Sequence, residues 1–116
     1  MSLAKKMGDA HEEFIAEAFD GRQARGSGNQ WRDPADGRSQ REAVLHFAWD
    51  CKSTRAKSIS IKREDLAKIL DQSHGDRPML PIRFYDDDRL RGFEDWVLLR
   101  VDDVQEMLQT IETTET

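Results

Sequence analysis

The chain has 116 residues, which fits one domain of ordinary size. Its 18 basic and 23 acidic residues leave a formal net charge of -5, and 37% of the residues are hydrophobic. No apolar run approaches the ~20 residues of a membrane-spanning helix. The opening stretch MSLAKKMGDAHEE lacks the apolar core of a secretory leader. The lone cysteine, Cys51, excludes an internal disulfide framework and a cysteine-based zinc knuckle. The expectation is a soluble, cytoplasmic chain that forms a single domain over residues 1–116.

The first predicted element is a helix over 7–20. Met7, His11, Phe14, Ile15, Ala18 and Phe19 recur at helical spacing, and Gly21 follows as a stop. Residues 22–41 are rich in Arg, Gly and Asp and predict a loop with two short strands. Residues 44–52 predict a strand with Leu45, Phe47, Trp49 and Cys51 on one face. Val44, His46, Ala48, Asp50 and Lys52 take the other.

A short strand is expected over 58–61, and a helix over 63–73 with Leu66, Ile69 and Leu70 inward. Strands follow over 79–85 and 95–101. In the second, Trp96, Val97, Leu98 and Leu99 form the continuous apolar run of a buried strand. Val104, Met107, Leu108 and Ile111 repeat as one face of a last helix, capped by Asp102 or Asp103. This order predicts an α/β domain, a mixed central sheet with helices packed on it.

The net charge conceals an asymmetry. Residues 1–63 hold 12 basic and 9 acidic residues, whereas 64–116 hold 6 and 14, a net of -8. Residues 22–63 alone carry a net of +6. A basic face on an acidic chain suits a polyanion such as nucleic acid; scattered solvated arginines are the alternative.

The strongest chemical signal is Asp50-Cys51-Lys52. Residues i and i+2 of a strand point the same way, so a carboxylate and an ammonium emerge side by side from an otherwise apolar strand. Such a pair can hold a hard divalent cation and orient a water, or it can be a plain strand-end ion pair. Asp36 lies fourteen residues earlier in a turn, and a short hairpin would bring it beside Asp50. Glu12 falls within about 20° of Phe19 on the first helix, at the border of its apolar stripe. Glu12, Asp36, Asp50 and Lys52 together suit metal-dependent phosphodiester hydrolysis. Lys52 would position or deprotonate the water, or stabilise charge on the phosphorus. His11 is expected in the core, and the Cys51 thiol is expected to be inert.

With these residues in view, the chain resembles the PD-(D/E)XK nucleases, and within them the small Holliday-junction resolvases of archaeal and phage type. The resemblance spans about residues 8 to 100. It runs through Gly8-x-x-x-Glu12, the loop Arg25-Gly26-Ser27-Gly28, the element Pro34-Ala35-Asp36, and the strand end Asp50-Cys51-Lys52-Ser53-Thr54. The inserted Ala35 makes Asp33 a rival ligand to Asp36.

The resemblance implies a restriction-endonuclease-like core and a metal-dependent endonuclease that cuts branched DNA. It implies Mg²⁺, with Mn²⁺ as substitute, at Glu12, Asp36, Asp50 and Cys51. Glu12, Asp36, Asp50, Lys52 and Ser27 would carry catalysis. Arg25, Ser27, Arg32, Arg38, Arg55 and Lys57 would meet the DNA backbone. Trp31 would stack on a base or edge the core, and Gln72 would approach the site from the second helix. The family resolvases are dimers, so a homodimer is expected, with no membrane or small-molecule partner. Rival readings are a restriction-like or end-processing nuclease, a non-catalytic DNA-binding module, and an acidic protein-interaction domain.

Overall fold

The computed structural model describes residues 2–19, 21–23, 36–40 and 45–115. The first helix, α1 (Leu3–Ala18), begins where Ser2 Oγ accepts the Lys5 N–H at 3.1 Å, a side-chain cap that satisfies one orphan donor of the first turn. It starts four residues before the expected 7–20 and buries Met7, His11 and Ile15 of the expected stripe together with Ala16, whereas Phe14 and Ala18 are exposed. Strands β1 (Gly21–Gln23), β2 (Gly37–Ser39) and β3 (Phe47–Trp49) then form an antiparallel set.

The expected strand over 44–52 is present but divided into β3 and β4 (Lys52–Thr54). Both pair parallel with β5 (Arg77–Tyr85), Trp49 opposite Met79 and Lys52 opposite Ile82. The offset is 30 residues on either side of the break, so no residue is inserted or lost. The break has a chemical cause. The Arg77 N–H donates to the His46 carbonyl, and the Asp50 N–H donates to the Met79 carbonyl. The next rung would run from residue 81 to the Asp50 carbonyl, and Pro81 has no N–H to give.

Helix α2 (Arg63–Gln72) forms the crossover between β4 and β5, with the Asp65 carboxylate accepting the Lys62 N–H at 2.9 Å. Strand β6 (Phe93–Leu99) lies antiparallel on the far side of β5, and α3 (Val101–Glu115) follows it. The lanes of the sheet run β1, β2, β3 with β4, β5, β6. This is the mixed sheet flanked by helices that the sequence predicts. Residues 58–61, expected as a strand, are irregular.

Both faces of the central lanes are covered. Phe47, Trp49 and Met79 pack with Ile15 and Ala16 of α1, whereas Ala48 packs with Ile69 of α2. That is why Phe47, Ala48 and Trp49 are all buried although successive side chains point opposite ways. The expectation for β6 is overturned. Trp96 is 58% exposed, and Val97 and Leu98 are also exposed, because β6 is the edge lane and, among the described residues, no helix covers its outer half. Among the described residues no helix is long and apolar enough to cross a membrane.

Trp49 is wholly buried, and its indole lies over the β2 backbone at Gly37. A methyl group on Gly37 would come 2.5 Å from Trp49 Nε1. Gly37→Ala should therefore destabilise the fold by about 1–3 kcal/mol through overpacking. A urea titration with a lower midpoint and unchanged slope checks this.

Candidate functional site

The register of β2 on β3 sets Gly37 opposite Trp49. One step further, Asp36 faces Asp50, so the hairpin juxtaposes two carboxylates fourteen residues apart. Their side chains take over the hydrogen bonding of the ladder. The Asp36 N–H donates to Asp50 Oδ1 at 3.1 Å. The Cys51 N–H donates to Asp36 Oδ2 at 2.8 Å. Each carboxylate is thus fixed by a backbone donor belonging to the other's segment. This happens where Pro81 frees β3 and β4 from continuous pairing.

Glu12 reaches this pair from the α1 side. Partial burial raises its carboxyl from an ordinary 4.5 to about 7, with Asp36, Asp9 and Asp50 adding repulsion. Burial also raises Asp50, followed by the charge of Asp36. Asp36 is the carboxylate that Glu12 feels most and Asp50 the one it feels least. This gradation follows from the faces of the sheet. Glu12 belongs to the helix packed on the Phe47 and Trp49 face. Asp50 shares its parity with Ala48, which packs on α2. Asp36 bridges the two.

Lys52 is half-buried and, two residues on from Asp50, shares that α2 face. A second lysine, Lys68 of α2, lowers Asp50's carboxyl more than Lys52 does. Sequence reasoning passed over Lys68 because its proximity arises only from Ile69 docking on Ala48. Cys51 faces the other way, and burial followed by Asp36 and Glu12 pushes its thiol far up. The thiol is held protonated and inert, so Cys51 could meet a cation only through its main-chain carbonyl.

The donor set suits a hard divalent cation, since three carboxylates carry more negative charge than the nearby lysines offset. Among the described residues, however, no three ligating side chains are gathered around one point. Asp36 and Asp50 form the joined pair, and Glu12 stands off from it.

Other expected residues fall differently. Arg38 is committed inside the protein. Its Nη1 meets Asp76 Oδ2 at 2.9 Å, and its Nη2 donates to the Gln72 carbonyl at 3.1 Å. It therefore ties β2 to the C-terminal end of α2 rather than presenting a free guanidinium to a nucleic acid. The Gln72 side chain has a buried Oε1 without a partner among the described residues. Arg55 is ion-paired with exposed Asp88, and Lys57 is exposed. Arg25, Ser27, Trp31, Arg32 and Asp33 lie outside the described residues.

His11 is buried as expected, yet neither ring nitrogen has a hydrogen-bond partner among the described residues. Burial, then Arg83, lowers its pKa to about 4, so the ring is neutral. It lies beside a clamp that seats α1. Arg83 makes a paired bond to Asp95, at 2.7 and 2.8 Å, and stacks 3.8 Å from the Phe93 ring. Tyr85 Oη donates to the Met7 carbonyl at 3.1 Å.

No family model matches the chain, and no curated protein matches it in sequence. A solved structure does share its fold: Hjc, a Holliday junction resolvase from the archaeal hyperthermophile Archaeoglobus fulgidus. The TM-score is 0.53 at 8% identity, over 77% of this chain and 75% of that one. The likeness is one of fold and covers most of both chains. The mixed sheet described above is therefore a fold that the two proteins share.

The raised Glu12 carboxyl has a consequence for stability. Its folded pKa, about 7, exceeds the ordinary 4.5, so ionising it costs folding free energy. The cost is absent below the unfolded pKa, grows between the two values and is complete above the folded one. Glu12→Gln should match the parent at pH 4 and melt a few degrees higher, roughly 3–6 °C, at pH 8. Thermal melts at the two pH values, in EDTA, test this.

Proposed function

We propose that this chain is a metal-dependent, structure-specific DNA endonuclease that hydrolyses phosphodiester bonds in branched DNA. The observation that carries the reading is the reciprocal hydrogen bonding of Asp36 and Asp50 beside Glu12 and Lys52. It sits on a fold shared with a Holliday junction resolvase. The sequence resemblance to PD-(D/E)XK nucleases falls on the same residues.

Asp36 and Asp50 would hold Mg²⁺, with Mn²⁺ as substitute, while Glu12 and the Cys51 carbonyl complete the set. The ion would supply a more acidic bound water and neutralise phosphate charge. The chain's own part is positional. The backbone bonds from Asp36 and Cys51 hold the carboxylates at one end of the break, so little reorganisation is needed when substrate arrives. Glu12, whose carboxyl burial raises in the metal-free chain, would be drawn into its ionised form by the cation it helps to hold. Lys52, with Lys68 behind it, offers ammonium charge to the scissile phosphate. Arg55 and Lys57, joined by Arg25, Arg32 and Ser27, would track the DNA backbone.

We further propose that the enzyme acts as a homodimer. The support is the exposed apolar surface of β6 and α3, where Trp96, Val101, Leu108 and Ile111 are each more than half exposed. Surfaces of this kind mark association sites.

Cleavage of a labelled four-way junction beside a linear duplex of the same arms tests the reading. Paired nicks on the junction are expected with Mg²⁺ and none in EDTA. Asp50→Asn should lower the rate by about 10³-fold and Lys52→Ala by about 10²-fold, with binding retained. Equal cutting of the duplex would discard junction specificity and leave the nuclease. Tight binding without cutting in any metal would leave a binding module.

A further inference from the structure

Two features of α1 have no role in packing. Gly8 sits inside the helix, where glycine is the poorest choice apart from proline. Nothing approaches within 4 Å of the position its missing side chain would occupy. No neighbouring side chain or backbone therefore requires glycine there. Near it a furrow of about 430 Å³ opens between α1 and the end of β4, lined by Ala4, Met7, Ser53, Thr54, Arg55 and Ala56.

The furrow lies along the same helix and strand that carry Glu12 and Lys52. Ala4, Gly8 and Glu12 are spaced i, i+4, i+8 and lie along one side of α1. They span about 12 Å at 1.5 Å per residue. Across from them, the chain leaves Lys52 and runs through Ser53 and Thr54 to Arg55. Glu12 acts on Cys51 at one end, and Ala4 lies by Ala56 at the other. Helix and strand thus run in opposite directions along a common trough. Its length matches about three nucleotide steps of a DNA strand.

The lining has the chemistry of a sugar–phosphate chain's partner. Ala4, Met7 and Ala56 give apolar surface for sugar edges. Ser53 and Thr54 bring hydroxyls, and the Thr54 hydroxyl shapes the exit by accepting the Ala56 N–H at 3.0 Å. Arg55 brings a guanidinium that, among the described residues, is held by a surface pair with Asp88. A pair so exposed is worth little and yields readily to a phosphate.

We propose that the furrow between α1 and β4 is a subsite for the nucleic-acid strand flanking the scissile phosphate, with Gly8 left bare so that the strand can pass and Arg55 taking a phosphate at its far end. This rests on the nuclease reading for the identity of the ligand. It adds the path of the strand and a set of residues that touch it.

Amide shift mapping of the full chain in EDTA, titrated with a short DNA duplex carrying a single-stranded branch, tests the proposal. The signals of Ala4, Met7, Gly8, Ser53, Thr54, Arg55 and Ala56 should move together and saturate. Gly8→Leu should melt no lower than the parent, because leucine is the better helix former and the space is open. It should bind the same DNA at least tenfold more weakly. Arg55→Gln should reduce the salt slope of binding by about one. A saturable shift map that leaves these residues unmoved, or parental affinity in Gly8→Leu, would overturn the subsite while the nuclease reading stands. Absence of any DNA binding by the parent would overturn both.

Discussion

The site depends on a missing hydrogen-bond donor. Pro81 lies in the central strand, fully buried, where proline is seldom tolerated. It deprives the Asp50 carbonyl of its rung and divides what would otherwise be one long strand into β3 and β4. In that gap the antiparallel register carries Asp36 directly opposite Asp50. On the β2 side of the strand, their carboxylates accept the Asp36 and Cys51 N–H groups.

The same sheet explains why charge can accumulate there. Alternation places Asp50 and Lys52 on the α2 face and Cys51 on the α1 face, while Glu12 approaches from α1. The carboxylates gather around the edge of the gap instead of being stacked on a single face. Burial and mutual repulsion raise Glu12 and Asp50, as expected when negative groups share a poorly solvated place. Lys68 and Lys52 offset only part of it. The Arg83–Asp95 clamp, with Tyr85 on the Met7 carbonyl, holds α1 against that repulsion. The position of Glu12 is therefore set by contacts well away from Glu12 itself.

Much of this was legible in the sequence, for reasons that can be stated residue by residue. The stripe Met7, His11, Ile15 and the pair Leu66, Ile69 have helical spacing, and α1 and α2 form over them, although α1 starts earlier than expected and Leu70, expected inward, is exposed. Asp36 and Asp50 could be paired in advance because Asp36 follows Pro34 in a turn signal, fourteen residues before Asp50, a spacing that a short hairpin closes. Pro81 announced itself as a residue but not as an opponent of Asp50, since parallel register across a crossover helix is invisible in one dimension. Lys68 and the internal use of Arg38 were hidden for the same reason. The apolar run Trp96 to Leu99 misled, because hydrophobicity reports what must be covered and not what covers it.

That last point bears on how the molecule is organised. The carboxylate gap and the bare apolar surface lie on opposite sides of β5, one at the β2–β3–β4 lanes and the other at β6 and α3. The charge halves follow the same division, basic before Arg63 and acidic after it. A second copy seated on β6 and α3 would cover Trp96, Leu98, Leu108 and Ile111 and leave both carboxylate sites open at the far sides. The acidic half would then lie between the two sites and repel a polyanion from the middle, steering DNA toward the basic lanes. The net negative charge of the chain is thus carried by residues 64–116, which include β6 and α3.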